Sequence, residues 1–423
     1  NQDFCSTFVI VQANQGQCGD PNDDPLVAAG NVANEVNNTV EDVTINLSGA
    51  LSTTVMTDVD GDYTFNLAAG DDVTIAPAKN DDHDNGVTTF DLVKINKHIL
   101  NDDMLETPYQ LIAADANNNG SITTLDMVHI RRVILQINDE FQANSSWRFV
   151  DADFVFPDPS NPWSVDFPEV ININNIDADV LANDFVAIKI GDVNGNAITN
   201  NNLLGADDRS AASLAIAAHD KMVKAGEIVT VDFTTVEAVE GYQFTMNFTN
   251  ALEFVSLNEG VATEENFGFT KLDEGAITAS WNGDAVANQN AFALTFTAKE
   301  DVMLSEALTI NDRFTVAESY NNNGDVMNVE LNFNNAEVAT FELYQNRPNP
   351  FSDATIIGYN MVEEGMVTLT ITDMSGRVLS AVQQQSAKGY NEINVSDLNA
   401  ACVFYYTLST ENATVTKKMV VTK

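Results

Sequence analysis

Cysteine, histidine and basic residues are all scarce in this sequence, and each scarcity closes off a class of function. Three cysteines in 423 residues are too few for a disulfide-built scaffold or a cysteine-rich zinc module. The four histidines, His83, His98, His129 and His219, show no spacing expected of a zinc site or a catalytic triad. Only 19 Lys and Arg stand against 62 Asp and Glu, a formal charge of −43. Phosphate repels such a chain, so nucleic acid and anionic lipid are excluded as partners. No apolar run approaches the roughly 18 residues of a membrane-spanning helix. The first residues, Asn1-Gln2-Asp3, lack an initiating methionine and an apolar signal core, which reads as a mature or truncated secreted chain. No Ser/His/Asp set or carboxylate pair stands out from the background of a chain this long, and enzymatic activity is not expected.

What is present is enough apolar material for several cores, 44% of residues with only 19% charged, and a length suited to about three domains of roughly 100–200 residues. Cys5 and Cys18 flank a β-branched run, Thr7 to Val11. A straight strand would hold their sulfurs roughly 40 Å apart, so either a turn at Asn14-Gln15-Gly16 lets them pair or each pairs with residues upstream. Residues 1–22 read as the last strand or strands of a preceding Ig-like domain. Residues 25–79 alternate in short segments (Val43–Leu47, Thr53–Thr57, Tyr63–Leu67, Val73–Ile75) separated by Ser-Gly, Asp-Gly and Gly-Asp turns, the pattern of a small β-sandwich. The acidic turn Asp58, Asp60 and Asp62 either binds a cation or is a solvated hairpin turn. The string TDVDGDYTFNLAAGDDVTI resembles carboxypeptidase-regulatory-like or Cna-B stalk domains.

An internal repeat carries the most information. NDDHDNGVTTFDLVKINKHIL (80–100) aligns with DANNNGSITTLDMVHIRRVIL (115–135) at a fixed offset of 35. Each copy is a polar loop running into a segment whose apolar residues, Leu92, Ile95 and Ile99 or Met127, Ile130 and Ile134, recur at helical spacing. A loop that curls around calcium supplies oxygen at positions 1, 3, 5, 7, 9 and 12, with position 7 a backbone carbonyl and position 6 tolerant of positive φ. In the second copy these positions are Asp115, Asn117, Asn119, the Ser121 carbonyl, Thr123 and Asp126, with Gly120 at position 6. In the first they are Asn80, Asp82, Asp84, the Gly86 carbonyl, Thr88 and Asp91, with Asn85 at position 6. Two Ca2+ sites are expected. With Asp rather than Glu at position 12 and no helix before the loop, residues 80–140 resemble the duplicated F-hands of type I dockerins. That family often carries a Ser/Thr pair at positions 10 and 11 to recognise cohesin, whereas position 11 here is Phe90 or Leu125. The helix cations Lys94, Lys97, Arg131 and Arg132 either face an acidic partner or offset the carboxylates of their own loops.

Residues 141–197 are extended and rich in proline and aromatics, and read as an accessory segment packed on the dockerin-like module, with 198–210 as a linker. Gly191-Asp192-Val193-Asn194-Gly195-Asn196 begins like a third calcium loop, but Leu203 stands at its position 12. It is not expected to hold an ion of its own.

Residues 211–335 return to β periodicity, and GYQFTMNF, ALEFVSL, ITASWNGD, AFALTFTA and FTVAESYNNNGDVMNVELNF, in that order, resemble cohesin-like sandwiches. Trp281 is either a core aromatic or the border of a binding face. Residues 341–423 hold six basic and eight acidic residues, a net of −2 against −41 for the rest, a break typical of a separate module. Their opening FELYQNRPNPFSDATIIGYNM, central VTLTITDMSGRVL and closing KKMVVTK resemble the type A C-terminal sorting domain of type IX secretion substrates. That resemblance implies a seven-stranded sandwich whose opening turn is Asn346-Arg347-Pro348-Asn349-Pro350-Phe351. Cys402 stands where that family usually has glycine.

The reading is a mainly β, multi-domain chain: β-sandwich modules in series with one small α-helical, calcium-binding, dockerin-like module. It implies a secreted cell-surface structural or adhesive protein, exported by the type IX machinery through 341–423 and assembling with copies of itself into an extracellular appendage. The alternative is a monomeric stalk carrying an upstream catalytic or carbohydrate-binding domain. A flexible tether of the 20 residues 191–210 reaches only about 25 Å, which predicts that any cohesin/dockerin-type contact joins neighbouring chains rather than one chain to itself.

Overall fold

The computed structural model describes residues 25–200, 212–334 and 341–422, apart from 362–363, 388, 397, 399–401 and 411–412. The expectations for residues 1–22, for Cys5 and Cys18, and for 201–210 of the linker lie outside the described residues. The chain divides into two compact units, one drawn from residues up to 217 and from 223–331, the other from 218–222 and 332–423.

In the first unit, β1 (Leu26–Ala33) precedes the four expected segments, and β2 (Thr44–Gly49), β3 (Thr53–Met56), β4 (Asp62–Leu67) and β5 (Val73–Ala78) lie where those were placed; β4 buries Tyr63, Phe65 and Leu67 and exposes the residues between. Five short strands in two sheets leave their edges open, and the accessory segment covers one edge of each sheet. Its strands β6 (Trp147–Asp151), β7 (Ile171–Ile173) and β8 (Phe185–Lys189) give sheets ordered β4-β1-β8-β6 and β3-β2-β5-β7. Residues 25–79 are therefore not a sandwich by themselves, a correction to their reading as a self-contained module. The accessory segment serves two cores, because successive side chains of a strand point to opposite faces. In β8, Phe185 and Ala187 enter the sandwich core while Ile188 joins the helical core with Ile190 just beyond it.

That helical core is formed by α1 (Thr89–Leu100), α2 (Pro108–Ala114) and α3 (Thr124–Ile134). Leu92, Ile95, Met127, Ile130 and Ile134 are buried in it and Ile99 packs against its edge, as the periodicity of the repeat predicts. The middle helix was not anticipated, although Thr107, with Pro108 at the first helical position and Gln110 closing a capping box, signals its start.

Residues 212–334 supply β9 (Ser213–His219), β10 (Met222–Val223), β11 (Ile228–Thr235), β12 (Val239–Phe248), β13 (Leu252–Glu259), β14 (Phe267–Gly268), β15 (Ala276–Ala285), β16 (Gln289–Ala298), β17 (Val302–Met303), β18 (Leu308–Asn311), β19 (Glu318–Tyr320) and β20 (Val326–Asn334). Ten of them form one sheet along the path β13-β16-β11-β9-β20-β19-β12-β15-β14, with β18 on β12. The sheet closes on itself: Phe292 of β16 stacks on its neighbour Phe233 and also meets Phe244 and Phe267 from the far end of the path.

In the second unit, β21 (Glu342–Leu343), β22 (Ala354–Met361) and β25 (Gly389–Ser396) form one sheet. Strands β23 (Gly365–Thr372), β24 (Val378–Ser386), β26 (Val403–Ser409) and β27 (Thr414–Val420) form the other, in the order β24-β23-β26-β27. Seven strands is the predicted number. Their shared core includes Ile357, Tyr359, Leu369, Tyr406 and Met419, with half-buried Cys402 at its margin.

Candidate functional site

The second loop folds as its spacing predicts. Asp115 Oδ1 accepts from the amide of Asn119 at 3.0 Å and its Oδ2 from Gly120 at 2.8 Å. Asp126 Oδ2 accepts from the amide and hydroxyl of Thr123, at 2.9 and 3.0 Å, and its Oδ1 from the amide of Asn117 at 3.2 Å. Gly120 takes φ 78° and Asn118 φ 56°, both left-handed, where a side chain with a Cβ is disfavoured and asparagine is the tolerated exception. Asp115 and Asp126 are buried. Burial pushes the Asp115 carboxyl above the usual carboxylate range, against the amides of Gly120 and Asn119. The side-chain amide of Asn117, at position 3, is shielded from solvent with neither its oxygen nor its nitrogen bonded. A buried amide oxygen without a donor is costly and suits a hard cation that takes amide, hydroxyl, carbonyl and carboxylate oxygen.

The first loop does not repeat this arrangement. Asn80 Oδ1 accepts from the amide of Ser146, Asp84 Oδ2 accepts from Gln136 Nε2, and the positive φ falls on Asp82 and Gly86 rather than Asn85. The helix half is intact: Thr88 caps α1 and donates its amide and hydroxyl to Asp91 Oδ2 at 2.8 and 3.2 Å. Asp91 Oδ1, however, accepts from Val193 and Asn194, at 2.8 and 3.2 Å, not from residue 82. Burial, then the Asp192 carboxylate, pushes Asp91 well above the usual range. Burial likewise pushes Asp192 up to about 6, against the amides of Ala197, Gly195 and Asn196. Buried Lys189, pulled down to about 8 by desolvation, donates to the His83 carbonyl at 3.2 Å. Among the described residues no three His, Cys, Asp or Glu side chains cluster as a metal site. The acidic turn 58–62 closes on itself, Asp58 Oδ1 accepting from the amides of Asp60 and Asp62.

Helix α1 lies against the sandwich sheet. The Thr89 amide donates to Gln243 Oε1 at 2.6 Å and its hydroxyl pairs with Ser280 Oγ at 2.7 Å, all three residues fully or nearly fully buried. Phe90 stacks on Tyr320 with centroids 5.0 Å apart, and Lys97 pairs with Glu240 at 2.8 Å. Helix α3 adds Arg131 on Asn282 Oδ1, and the carbonyls of Ile134 and Leu135 accept from Thr315 and Thr278. Gly241 lets the helix approach closely, since a Cβ there would lie 3.1 Å from Val93 and 3.2 Å from Thr89. Trp281 is a buried aromatic stacked on Tyr242, on one of the two strands that meet α1. Two of the four helix cations, Lys97 and Arg131, thus face the sandwich. The contact is made here within one chain, where a contact between neighbouring chains was expected. Residues 191–200 are not a free tether: Thr199 accepts from the Glu41 amide, Asn200 donates to the Thr39 carbonyl, and the helices meet the sandwich within one compact unit.

In the second unit, the Asn346 side chain donates to the Pro348 carbonyl and to Thr355 Oγ1, both at 3.0 Å, and its amide donates to the Tyr406 hydroxyl. The buried asparagine thereby pins the proline-rich turn to the core. Residues 347–422 match the secretion system C-terminal sorting domain. The sorting domain places the protein on the cell surface or outside the cell, handled by the type IX secretion machinery, and no helix among the described residues is long and apolar enough to cross a membrane. The fold is similar to the type II cohesin dyad from the adaptor ScaA scaffoldin of Acetivibrio cellulolyticus (10% identity over 48% of this chain and 90% of that one, TM-score 0.23). It is also similar to a non-cellulosomal cohesin from the archaeon Archaeoglobus fulgidus (18% identity, 28% and 86%, TM-score 0.22) and to BcpA, the major pilin subunit of Bacillus cereus (9% identity, 95% and 96%, TM-score 0.19). No curated protein matches.

Proposed function

We propose that this chain is a secreted structural or adhesive protein of the cell surface, with no catalytic role, whose helical module is clamped by calcium and docked on the sandwich of its own chain to make a stiff arm. The observation that supports this reading is the buried contact of Thr89 with Gln243 and Ser280. It uses position 10 of the first repeat, and Phe90 at position 11 stacks on Tyr320 beside it; these positions form the face through which a dockerin-like module would otherwise meet a partner. The second loop supports the calcium part, because its donors are the hard oxygens this ion takes and its Asn117 amide has no protein partner. Residues 115, 117, 119, 121, 123 and 126 would hold the ion, whose charge would offset two buried carboxylates and tie the loop to α3.

Assembly into an appendage is the second reading, favoured by the same contact: two copies can exchange it, each helical module docking on the other's sandwich. Light scattering on the full chain in millimolar calcium separates the two. The arm predicts a monomeric mass at all concentrations. A dimer or larger species that Gln243→Ala dissolves establishes exchange, and a larger species indifferent to that substitution removes the docking face from the assembly. Export has its own test: deletion of 341–423 should hold the chain in the periplasm, and normal surface display of the truncated chain would refute the sorting role.

A further inference from the structure

Asp192 and the turn that follows it are absorbed by none of the functions above, yet they share the main carboxylate bonds of the first half of the second calcium loop, although Asn194 Oδ1 accepts from the Asn196 amide at 3.1 Å where Asn117 Oδ1 has no partner. Asp115 accepts from residues four and five ahead of it, Asn119 on Oδ1 and Gly120 on Oδ2. Asp192 also accepts from residues four and five ahead of it, Asn196 on Oδ1 at 3.3 Å and Ala197 on Oδ2 at 2.9 Å, and in addition from Gly195 on Oδ1 at 2.7 Å. In each turn the second residue, Ala116 or Val193, is buried, and the fourth, Asn118 or Gly195, has positive φ. The third residue of each donates its amide to the aspartate that closes a helix start. Asn117 donates to Asp126 Oδ1 and Asn194 to Asp91 Oδ1, both at 3.2 Å.

The two halves meet where a continuous loop would run from position 6 to position 7. A Cβ on Gly86 would fall 2.5 Å from Ala197 Cα, and the Asn85 side chain bonds both the amide and the carbonyl of Ile198. Charge is a separate observation. Asp91 is fully buried and Asp192 is 6% exposed, and among the described residues neither has a Lys, Arg or His nitrogen within ion-pair distance, the nearby Lys189 being bonded to the His83 carbonyl. Two buried carboxylates without a cation between them are unfavourable.

We propose that the first calcium site is a split loop, with positions 1, 3 and 5 supplied by Asp192, Asn194 and Asn196 and positions 7, 9 and 12 by the Gly86 carbonyl, Thr88 and Asp91, about a hundred residues earlier in the chain. Asn80, Asp82 and Asp84 are not its ligands. The inference rests on the calcium reading above and replaces half of one ligand set. Calcium bound there would cross-link the accessory segment to the start of α1, the helix that docks on the sandwich.

Calorimetric titration of the full chain with calcium, after treatment with EDTA, tests it. The wild-type chain should take up two ions. Asp192→Asn, and separately the double substitution Asn194→Ala with Asn196→Ala, should each leave one. The triple substitution Asn80→Ala, Asp82→Ala, Asp84→Ala should leave two. The double variant changes only side chains that accept no amide needed by α1, so it reads the site even if Asp192→Asn does not fold. Loss of an ion in the triple variant together with two ions in the double variant would overturn the split loop and leave the calcium reading standing. One wild-type ion, abolished by Asp115→Asn and untouched by the double variant, would also overturn it. Failure of the wild-type chain to take up any calcium would overturn the calcium reading itself.

Discussion

The two repeats share a spacing, a capping box and a closing aspartate, yet one folds around its own loop and the other around a distant turn. Asp126 gathers donors from residues 117 and 123, all within its own loop. Asp91 gathers donors from Thr88 and from residues 193 and 194. The difference extends up the helices. Thr89 and Phe90 pack against the sandwich, whereas the equivalent Thr124 and Leu125 are exposed. A duplicated motif has thus separated its duties: the second copy is a local clamp and the first is a joint between distant parts of the chain. Equal spacing specifies which atoms can act as donors but not which chain segment delivers them.

Calcium removal should have the largest effect on this pair. An ion bound only by the folded state at about 100-fold its Kd adds about 2.7 kcal/mol, so two sites amount to about 5 kcal/mol. EDTA should lower the unfolding midpoint of the full chain, and Asp115→Asn should remove about half of that shift. A midpoint indifferent to EDTA in both proteins would end the comparison at its root.

Next in size is the contrast between the closing aspartates, measured by urea unfolding in EDTA so that hydrogen bonds alone are compared. Asp91→Ala strips partners from Val193, Asn194 and Thr88 and should cost about 3–4 kcal/mol, at about 1 kcal/mol or more per buried donor left unpaired. Asp126→Ala strips Asn117 and Thr123 and should cost about 2–3 kcal/mol. Equal losses would show that the bonds to 193–194 add nothing. Thr89→Val, which strands the buried Ser280 hydroxyl, should cost about 1–2 kcal/mol, and its counterpart Thr124→Val, an exposed change, less than about 0.5 kcal/mol. The same melts report both.

The smallest effect is the pH dependence contributed by one histidine of the first repeat. His98 Nδ1 accepts from the Leu105 amide at 3.1 Å, and burial holds its pKa below the ordinary value; the matching position in the second repeat is Val133. The unfolded chain takes up the proton more readily, so this contribution is complete above about pH 6.5 and declines as the pH falls through it. His98→Gln should flatten that shallow slope between about pH 7 and 5 in chemical unfolding measured at a series of pH values. An unchanged slope would assign it to other groups.

Much of this was legible beforehand. The helix starts were, because Thr88 with Asp91 and Thr123 with Asp126 are capping boxes closed within four residues. The second loop was, for the same reason of locality. The sorting domain was, through the proline turn at 346–351 and its charge break. Three things were hidden. The strands that complete the first sandwich come from 147–189, about 100 to 150 residues after the strands they pair with. The docking of α1 depends on Gln243 and Ser280, polar residues with no local reason to be buried. The turn at Asp192 has Leu203, not a carboxylate, at position 12 ahead of it, and the carboxylate it meets is Asp91, about a hundred residues earlier.

By itself, then, the sequence determined what a few neighbouring residues settle among themselves: helix caps, the alternation of strands, the positive-φ turn at Gly120 and the hydrogen-bonded geometry of the second loop. Tertiary structure alone decided which loop half faces which helix, which sheet receives β8, and that the start of α1 packs on the sandwich of its own chain. The physical reason is that a buried carboxylate or hydroxyl must find partners wherever packing brings them. Packing is decided by the burial of whole faces, which no local spacing records.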